Sequence, residues 1–284
     1  RVIDKPWLLR QFLVRGIIVP KRYKDSAAQY QKIWQERGSP LKFHTEDLAS
    51  DLHAEVAMRY QNPSIESALE KLKSCESITV LPLFPQYASA TTGSIIQKIF
   101  EIMRRWESFP KLTIIDSFAD HPAFINAYAK NFPSLADYDH IILSYHGLPK
   151  SHHERSSRYY DECVATTKAL VEKLRLENYT MTFQSRLGKA EWIKPYTSDV
   201  IEELAKKGVK KILVATPAFV ADCLETIFEI GEEYQELFQS FGGEILDRVP
   251  CLNGSSTWAS EILLPHSAPH SAQAQEALGG CKSS

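Results

Sequence analysis

Short apolar runs rich in β-branched residues alternate along this chain with longer segments whose apolar residues recur at helical spacing. A strand–helix order repeated this often is typical of an α/β protein, in which helices cover parallel sheets. The runs that we predict to be strands are residues 55–60, 78–84, 112–118, 140–146, 180–185 and 211–217. The pattern therefore predicts an α/β fold.

The predicted strands lie on either side of a break at "FPSLADYD", residues 132–139, which we interpret as a linker. A chain of 284 residues is long enough for two domains of ordinary size. We predict two doubly wound, Rossmann-like lobes, residues 1–131 and 132–252, each a parallel sheet flanked by helices. Because ligands of open parallel sheets bind at the carboxyl ends of the strands, we expect the active cleft to lie between the lobes.

Composition narrows the class of protein. A formal net charge of -2 argues against a nucleic-acid binder that works by bulk electrostatics. The five cysteines are odd in number, widely spaced and without a C-x-x-C pair, so neither a disulfide framework nor a structural zinc site is indicated. No apolar run approaches the roughly 20 residues that a membrane span needs, and no signal peptide is recognisable. We expect a cytoplasmic protein that binds no nucleic acid.

The run "HIILSYHGLP", residues 140–149, ends an apolar strand on a histidine that precedes Gly and Pro. His146 is either a polar tip that caps the sheet or a side chain that faces a ligand above it. Gln184, Ser185 and Pro217 follow or end other predicted strands. Because parallel strands share one carboxyl edge, these residues are expected to converge with His146 on one cleft.

Acidic residues recur at helical spacing in "ADCLETIFEIGEEYQELF", residues 221–238. Glu225, Glu229 and Glu232 or Glu233 would line one helix face, which is either solvated or functional. A partly buried carboxylate near a histidine is paired, protonated or facing a cation. Outside the C-terminal tail, no H-x-x-x-H ligand pair is present. One His with one or more Glu forms an open site that can hold a metal weakly and release it.

Several separated motifs together resemble the ferrochelatase family, the enzymes that insert Fe²⁺ into a porphyrin at the end of haem synthesis. The motifs are "RGSPLKF", "VAMRYQNPSIESAL", "LPLFPQYASATTGS", "FADHPAFINAYA", "SYHGLPKSH", "FQSRLGKAEWIKPYT", "FVADCLETIFEIGEEY" and "LNGSSTWAS". They occur in the order of the family and near its spacing, over most of the chain.

The resemblance implies a role for eight residues. His146 and Glu225 match the family's catalytic histidine and the carboxylate that faces it, and both are expected to contact the metal. The others are expected to lie on a metal or proton path (Glu229, Glu233) or to bind the substrate (Trp192, Ser39, Tyr30, Arg59). Residues 253–265 are expected to pack back on the first lobe, and residues 266–284 to form a flexible tail.

The implied reaction is insertion of Fe²⁺ into protoporphyrin IX, with release of two protons. Fe²⁺ is a substrate, and no tightly bound cofactor is expected. The tail lacks the clustered cysteines of family members with an iron–sulfur centre, so we predict no such cluster. The alternatives are a coproporphyrin or other tetrapyrrole chelatase that uses Co or Ni, and a non-catalytic porphyrin or haem carrier. Cys223 stands where many relatives have a second histidine.

The start of the chain departs from the family pattern. Family members begin with a strand that ends in an "LNLGGP"-like loop, whereas this sequence starts with the segment that comes after that loop, so it resembles an N-terminally incomplete ferrochelatase. The segment "WLLRQFLVRGIIVP", residues 7–20, places apolar residues around Arg10 and Arg15. It is either a helix packed on the first lobe or a lip that makes peripheral contact with anionic membranes.

Overall fold

The computed structural model describes residues 19–188 and 190–264. Its strands are β1 (Ser77–Val80), β2 (Lys111–Ile114), β3 (His140–His146), β4 (Tyr179–Gln184), β5 (Lys211–Ala215) and β6 (Ile245–Arg248). Its α-helices are α1 (Val19–Ile33), α2 (Pro40–Asp51), α3 (Ile65–Leu72), α4 (Thr92–Met103), α5 (Pro122–Ala129), α6 (Lys150–Arg155), α7 (Arg158–Leu174), α8 (Thr197–Lys206), α9 (Tyr234–Ser240) and α10 (Thr257–Leu263). A 3₁₀ turn (Leu135–Asp137) and a π-helix (Glu225–Glu233) complete the described elements.

Two parallel sheets organise these elements. The larger has the strand order β4-β3-β5-β6, and the smaller pairs β1 with β2. Parallel neighbours need crossover connections, which α7, α8 and the π-helix with α9 supply in the larger sheet and α4 in the smaller. The predicted α/β class, with parallel sheets flanked by helices, is confirmed.

Helices cover the larger sheet on both faces. Successive side chains of a strand point to opposite sides, so neighbouring residues of β3 enter different cores. Leu143 of β3 packs in one core with Leu170 of α7, whereas Ile142 packs in another with Ile201 of α8. All four side chains are fully buried. A strand buried on both faces needs an uninterrupted apolar run, which explains why β3 reads as "IIL" rather than as an alternation.

Five of the six predicted strands form, each within a few residues of the predicted bounds. The predicted strand 55–60 is wrong: this segment makes only one isolated bridge, between Met58 and Ser64. The chain turns back on itself there, and the Met58 amide donates to the Pro63 carbonyl at 2.7 Å. A local partner thus takes the hydrogen bond that a sheet neighbour would make. Strand β6 was not predicted, because its four residues include two charged ones.

A smaller core joins the two-stranded sheet to its helices. Ile65 of α3, Ile78 of β1 and Ile99 of α4 pack there with Trp106. Helix α10 packs against the first predicted lobe. The ring centroids of Trp258 in α10 and Phe118 in that lobe are 5.3 Å apart. The proposed lobe boundaries at residues 131 and 252 stay a prediction.

The predicted membrane-contacting segment, residues 7–20, lies outside the described residues except for the start of α1, and so does the predicted tail, residues 266–284. Within the described ranges, no helix is long and apolar enough to cross a membrane.

Replacement of Trp258 is expected to destabilise the fold strongly. Its side chain is 1% exposed and packs on Phe118 and Phe124, so Trp258→Ala should lower the free energy of unfolding by about 3–5 kcal/mol. The control is Phe109→Ala, at a residue that is 61% exposed, where a change within about 0.5 kcal/mol is expected. Denaturant unfolding measures both, and equal changes would contradict this packing.

Candidate functional site

His146 ends β3 with its ring half-buried. Its Nδ1 lies 2.7 Å from the Gly147 carbonyl oxygen. A carbonyl only accepts hydrogen bonds, so Nδ1 carries the proton of the neutral ring and Nε2 keeps a lone pair. The Tyr159 hydroxyl donates to the His146 carbonyl at 2.7 Å and fixes the backbone behind the ring. His146 is therefore set up as a proton acceptor or a metal ligand.

Gln184, at the end of β4, is the Cα partner of His146 across the sheet. Its side chain is 1% exposed. The amide Nε2 donates to the Glu225 carbonyl at 3.3 Å and to Glu229 Oε2 at 3.1 Å, while Oε1 accepts from Ser144 Oγ at 2.8 Å. One buried amide thus joins the carboxyl edge of the sheet to the π-helix. The predicted convergence of His146 and Gln184 at one sheet edge is confirmed.

A buried chain of hydroxyl groups fixes the direction of these hydrogen bonds. Ser144 donates to Gln184, so the 2.8 Å contact between Ser144 and Thr197 requires Thr197 to donate. Thr182 must then donate to Thr197, 2.9 Å away. Every bond runs toward Gln184 and the carboxylate beyond it. Hydrogen bonds aligned in this way polarise one another, which strengthens the last donor.

The acidic helix is a π-helix over residues Glu225–Glu233. Its turn is wider than an α-helical turn, so residues four apart lie more nearly in line. Along this helix, Glu225 and Glu229 are half-buried and Glu233 is exposed. Burial, and then the charge of Glu229, raises the pKa of Glu233. The three carboxylates therefore form a row that leads from the interior toward solvent.

A buried aspartate holds the start of the π-helix. Asp222 is 5% exposed and accepts from Arg248 Nη1 at 2.7 Å and from Asn253 Nδ2 at 2.9 Å. It also accepts from Thr226 Oγ1, at the second residue of the helix, at 2.8 Å. A buried carboxylate with this many donors is held in place. Asp222 thereby fixes Thr226, the residue that follows Glu225.

Cys223 and Tyr30 flank Glu225. Burial, followed by the charge of Glu225, raises the pKa of the Cys223 thiol well above its usual range. The same two causes raise the pKa of Tyr30, which reaches this region from α1. Helix α1 is attached to the π-helix through Lys32, whose Nζ lies 2.6 Å from Glu232 Oε2 and 4.7 Å from the Phe228 ring centroid. Tyr30 is therefore brought to Glu225.

Trp192 lies against the end of β3. Its ring is buried, its Nε1 donates to the Leu187 carbonyl at 3.0 Å, and its backbone pairs with Pro149. A Cβ on Gly147 would lie 2.8 Å from the Gln184 carbonyl oxygen and 3.1 Å from the Trp192 ring. Glycine at 147 therefore lets the tryptophan approach the turn that follows His146.

Ser39 and Arg59, which are also predicted to bind the substrate, contact other residues of the N-terminal part of the chain. Ser39 precedes α2, and its carbonyl accepts from the amides of Lys42 and Phe43. Arg59 Nε donates to the Ser94 carbonyl at 3.1 Å, and its guanidinium lies 4.7 Å from the Tyr60 ring centroid. These contacts do not test the predicted roles, which stay predictions.

The site offers a nitrogen lone pair on His146 and a half-buried carboxylate on Glu225. Together they can accept protons from a bound molecule and hold a divalent cation transiently. Within residues 19–188 and 190–264, no three His, Cys, Asp or Glu side chains group into a metal site.

Comparison with known proteins assigns the family. Residues 1–263 match the Ferrochelatase family model. The chain belongs to the ferrochelatase family. A ferrochelatase of Legionella pneumophila (strain Paris) is 42% identical over 291 residues, which cover 92% of this chain and 88% of the relative. A ferrochelatase of Aromatoleum aromaticum is 38% identical over 92% of this chain and 77% of its own length.

A solved structure of SirB from Bacillus subtilis with Fe³⁺ has a similar fold, with a TM-score of 0.55 at 14% sequence identity. The match covers 78% of this chain and 88% of SirB. At this identity the likeness supports the two-lobed chelatase architecture alone. Assignment to the ferrochelatase family therefore rests on the sequence matches.

Sequence reasoning missed the roles of two residues of this ferrochelatase-family site. Gln184 was placed at a strand end but not recognised as the link to the acidic helix, although a polar residue ending an apolar strand was the available signal. Asp222 gave a weaker signal, because its partners Arg248 and Asn253 lie more than twenty residues away.

Thiol chemistry tests the environment of Cys223. Thiolates, not thiols, react with alkylating reagents, so the raised pKa and burial of Cys223 should make it react far more slowly than the exposed Cys75. Iodoacetamide labelling near pH 8, followed residue by residue with peptide mass spectrometry, measures the two rates. Equal rates for Cys223 and Cys75 in the folded protein would contradict the described burial.

Proposed function

We propose that this member of the ferrochelatase family inserts Fe²⁺ into protoporphyrin IX and forms haem, a reaction that belongs to the lyases. The observation that carries the proposal is the connection between His146 and Glu225. Gln184 pairs with His146 across the sheet and donates to the Glu225 carbonyl. One buried residue thus joins the backbone at His146 to the backbone at Glu225.

The reaction removes two pyrrole protons and transfers Fe²⁺ to the four ring nitrogens. A flat macrocycle keeps the nitrogen lone pairs in its plane, so the ring must bend before the metal can bind. Contacts at the ring edge supply the binding energy for this distortion. His146 Nε2 accepts a pyrrole proton, because Nδ1 donates to the Gly147 carbonyl and leaves a lone pair on Nε2.

Glu225 balances the charge of the arriving Fe²⁺ or takes the second proton. The row of carboxylates continues toward solvent at Glu233, whose raised pKa favours proton uptake. Glu229 lies between them, with its oxygens already hydrogen-bonded. We propose that Glu225 and Glu233 mark the inner and outer ends of the route for metal or protons.

The porphyrin pocket is proposed to use Trp192 as a wall and Tyr30 near Glu225, with Ser39 and Arg59 holding propionates or the pocket wall. The partners are then protoporphyrin and ferrous iron, with neither nucleic acid nor a tightly bound cofactor. A cytoplasmic location with peripheral membrane contact through residues 7–20 belongs to the same proposal.

A substrate comparison tests the proposed reaction against its alternatives. Under anaerobic conditions, the chain should convert protoporphyrin IX with Fe²⁺ at a higher kcat/KM than with Co²⁺ or Ni²⁺, followed by absorbance. Higher kcat/KM with coproporphyrin or with Co²⁺ would favour another tetrapyrrole chelatase. Porphyrin binding without turnover for any of these pairs would favour a carrier.

His146→Ala is expected to lose nearly all metal insertion, because it removes the proton acceptor. Activity above about a tenth of the parent value, a change of only ~1.4 kcal/mol in the barrier, would exclude the assigned role. The matched control is His140→Ala, at the opposite end of the same strand, which should keep most activity. Circular dichroism and porphyrin fluorescence quenching check that both variants fold and bind.

Glu225→Gln is expected to reduce turnover by at least about tenfold with little change in stability, because it keeps the shape of the side chain and removes its charge. Glu236→Gln, at an exposed position of α9, is the control and should turn over like the parent. Steady-state kinetics with varied Fe²⁺ measure the effect. Parental turnover in Glu225→Gln would contradict a role for this carboxylate.

A further inference from the structure

Glu229 has no vacant acceptor position in this structure. Oε1 accepts from the Ser185 amide at 2.8 Å and from the Tyr234 hydroxyl at 3.0 Å. Oε2 accepts from Ser185 Oγ at 2.6 Å and from Gln184 Nε2 at 3.1 Å. A carboxylate offers about four lone-pair sites, and four donors occupy them. A metal ion passing along the acidic row would have to displace these donors.

Two of these bonds hold a residue in an uncommon backbone conformation. Ser185 has a φ of +63°, in the left-handed region that residues with a side chain rarely adopt. It is the first residue after β4. Both its amide and its hydroxyl donate to Glu229. The carboxylate therefore fixes the direction in which the chain leaves the sheet.

Ser185 is connected to the Trp192 indole through Leu187. Two residues after Ser185, the Leu187 carbonyl accepts from Trp192 Nε1 at 3.0 Å. Next to Trp192, the Ile193 amide donates to the Leu148 carbonyl at 3.0 Å and attaches this part of the chain to the turn after β3. A change at Ser185 is thus passed to the indole through Leu187.

We infer that Glu229 is a positioning residue that fixes Ser185 and, through the Leu187 carbonyl, the Trp192 indole, which forms one wall of the porphyrin pocket. The assignment of that wall rests on the proposed function. In this role Glu229 does not carry metal or protons. It sets the position of the indole, and so the affinity for the macrocycle.

Tryptophan fluorescence emission tests whether Glu229 positions Trp192, without any measurement of activity. Glu229→Gln replaces acceptors with a donor that opposes the Gln184 and Ser185 donors, so the indole should become more exposed and its emission should shift to longer wavelength. The shift should disappear in a Trp192→Phe background. Ser185→Ala removes one donor without a charge change and should shift emission in the same direction, which keeps the test valid if Glu229→Gln folds poorly. Glu236→Gln is the control.

Separate Michaelis constants distinguish positioning from transport. We expect Glu229→Gln and Ser185→Ala to raise the KM for porphyrin by about fivefold, the order expected when a hydrogen bond between ordered groups is lost, and to leave the KM for Fe²⁺ unchanged. A raised KM for Fe²⁺ in Glu229→Gln, with emission and porphyrin KM unchanged, would overturn the inference. If the parent binds no porphyrin, the proposed function fails, and the emission shift alone decides whether Glu229 positions Trp192.

Discussion

The buried amide of Gln184 is the contact on which the arrangement of the site depends. Its side chain accepts from Ser144 within the sheet and donates to Glu225 and Glu229 of the π-helix. Loss of one partner would leave buried polar groups unsatisfied, at a cost of about 1–3 kcal/mol each. This cost keeps the sheet edge and the acidic helix in one fixed relation, and His146 and Glu225 belong to those two elements.

The sequence predicted the sheet well where burial is complete. Strand β3 was predicted with its full bounds, because a strand covered on both faces must be apolar throughout and its polar end is then conspicuous. The segment 55–60 has a similar apolar content but makes its hydrogen bond locally, to Pro63. The apolar pattern cannot distinguish β3 from residues 55–60. Both are short apolar runs, and they differ only in whether a neighbouring strand or a local carbonyl takes their hydrogen bonds.

The residues of the site were predicted through resemblance, and their connections were not. The spacing of Glu225, Glu229 and Glu233 indicated one helix face but not the π-helix that carries them. The different bonding of the three carboxylates was also hidden, because it depends on Ser185 from another segment and on Tyr234, the first residue after the π-helix. The roles of the three glutamates therefore depend on the donors that each carboxylate contacts.

Proton release measured together with metal insertion tests whether this chain metallates the macrocycle. Under anaerobic conditions in weak buffer, a pH indicator reports protons while absorbance reports conversion of protoporphyrin IX with Fe²⁺. We expect two protons to be released for each haem formed. In His146→Ala, proton release and conversion of protoporphyrin IX should both be lost. A porphyrin spectrum that changes on binding while no protons are released and no haem forms would show that the chain binds the macrocycle without metallating it, and would contradict the account.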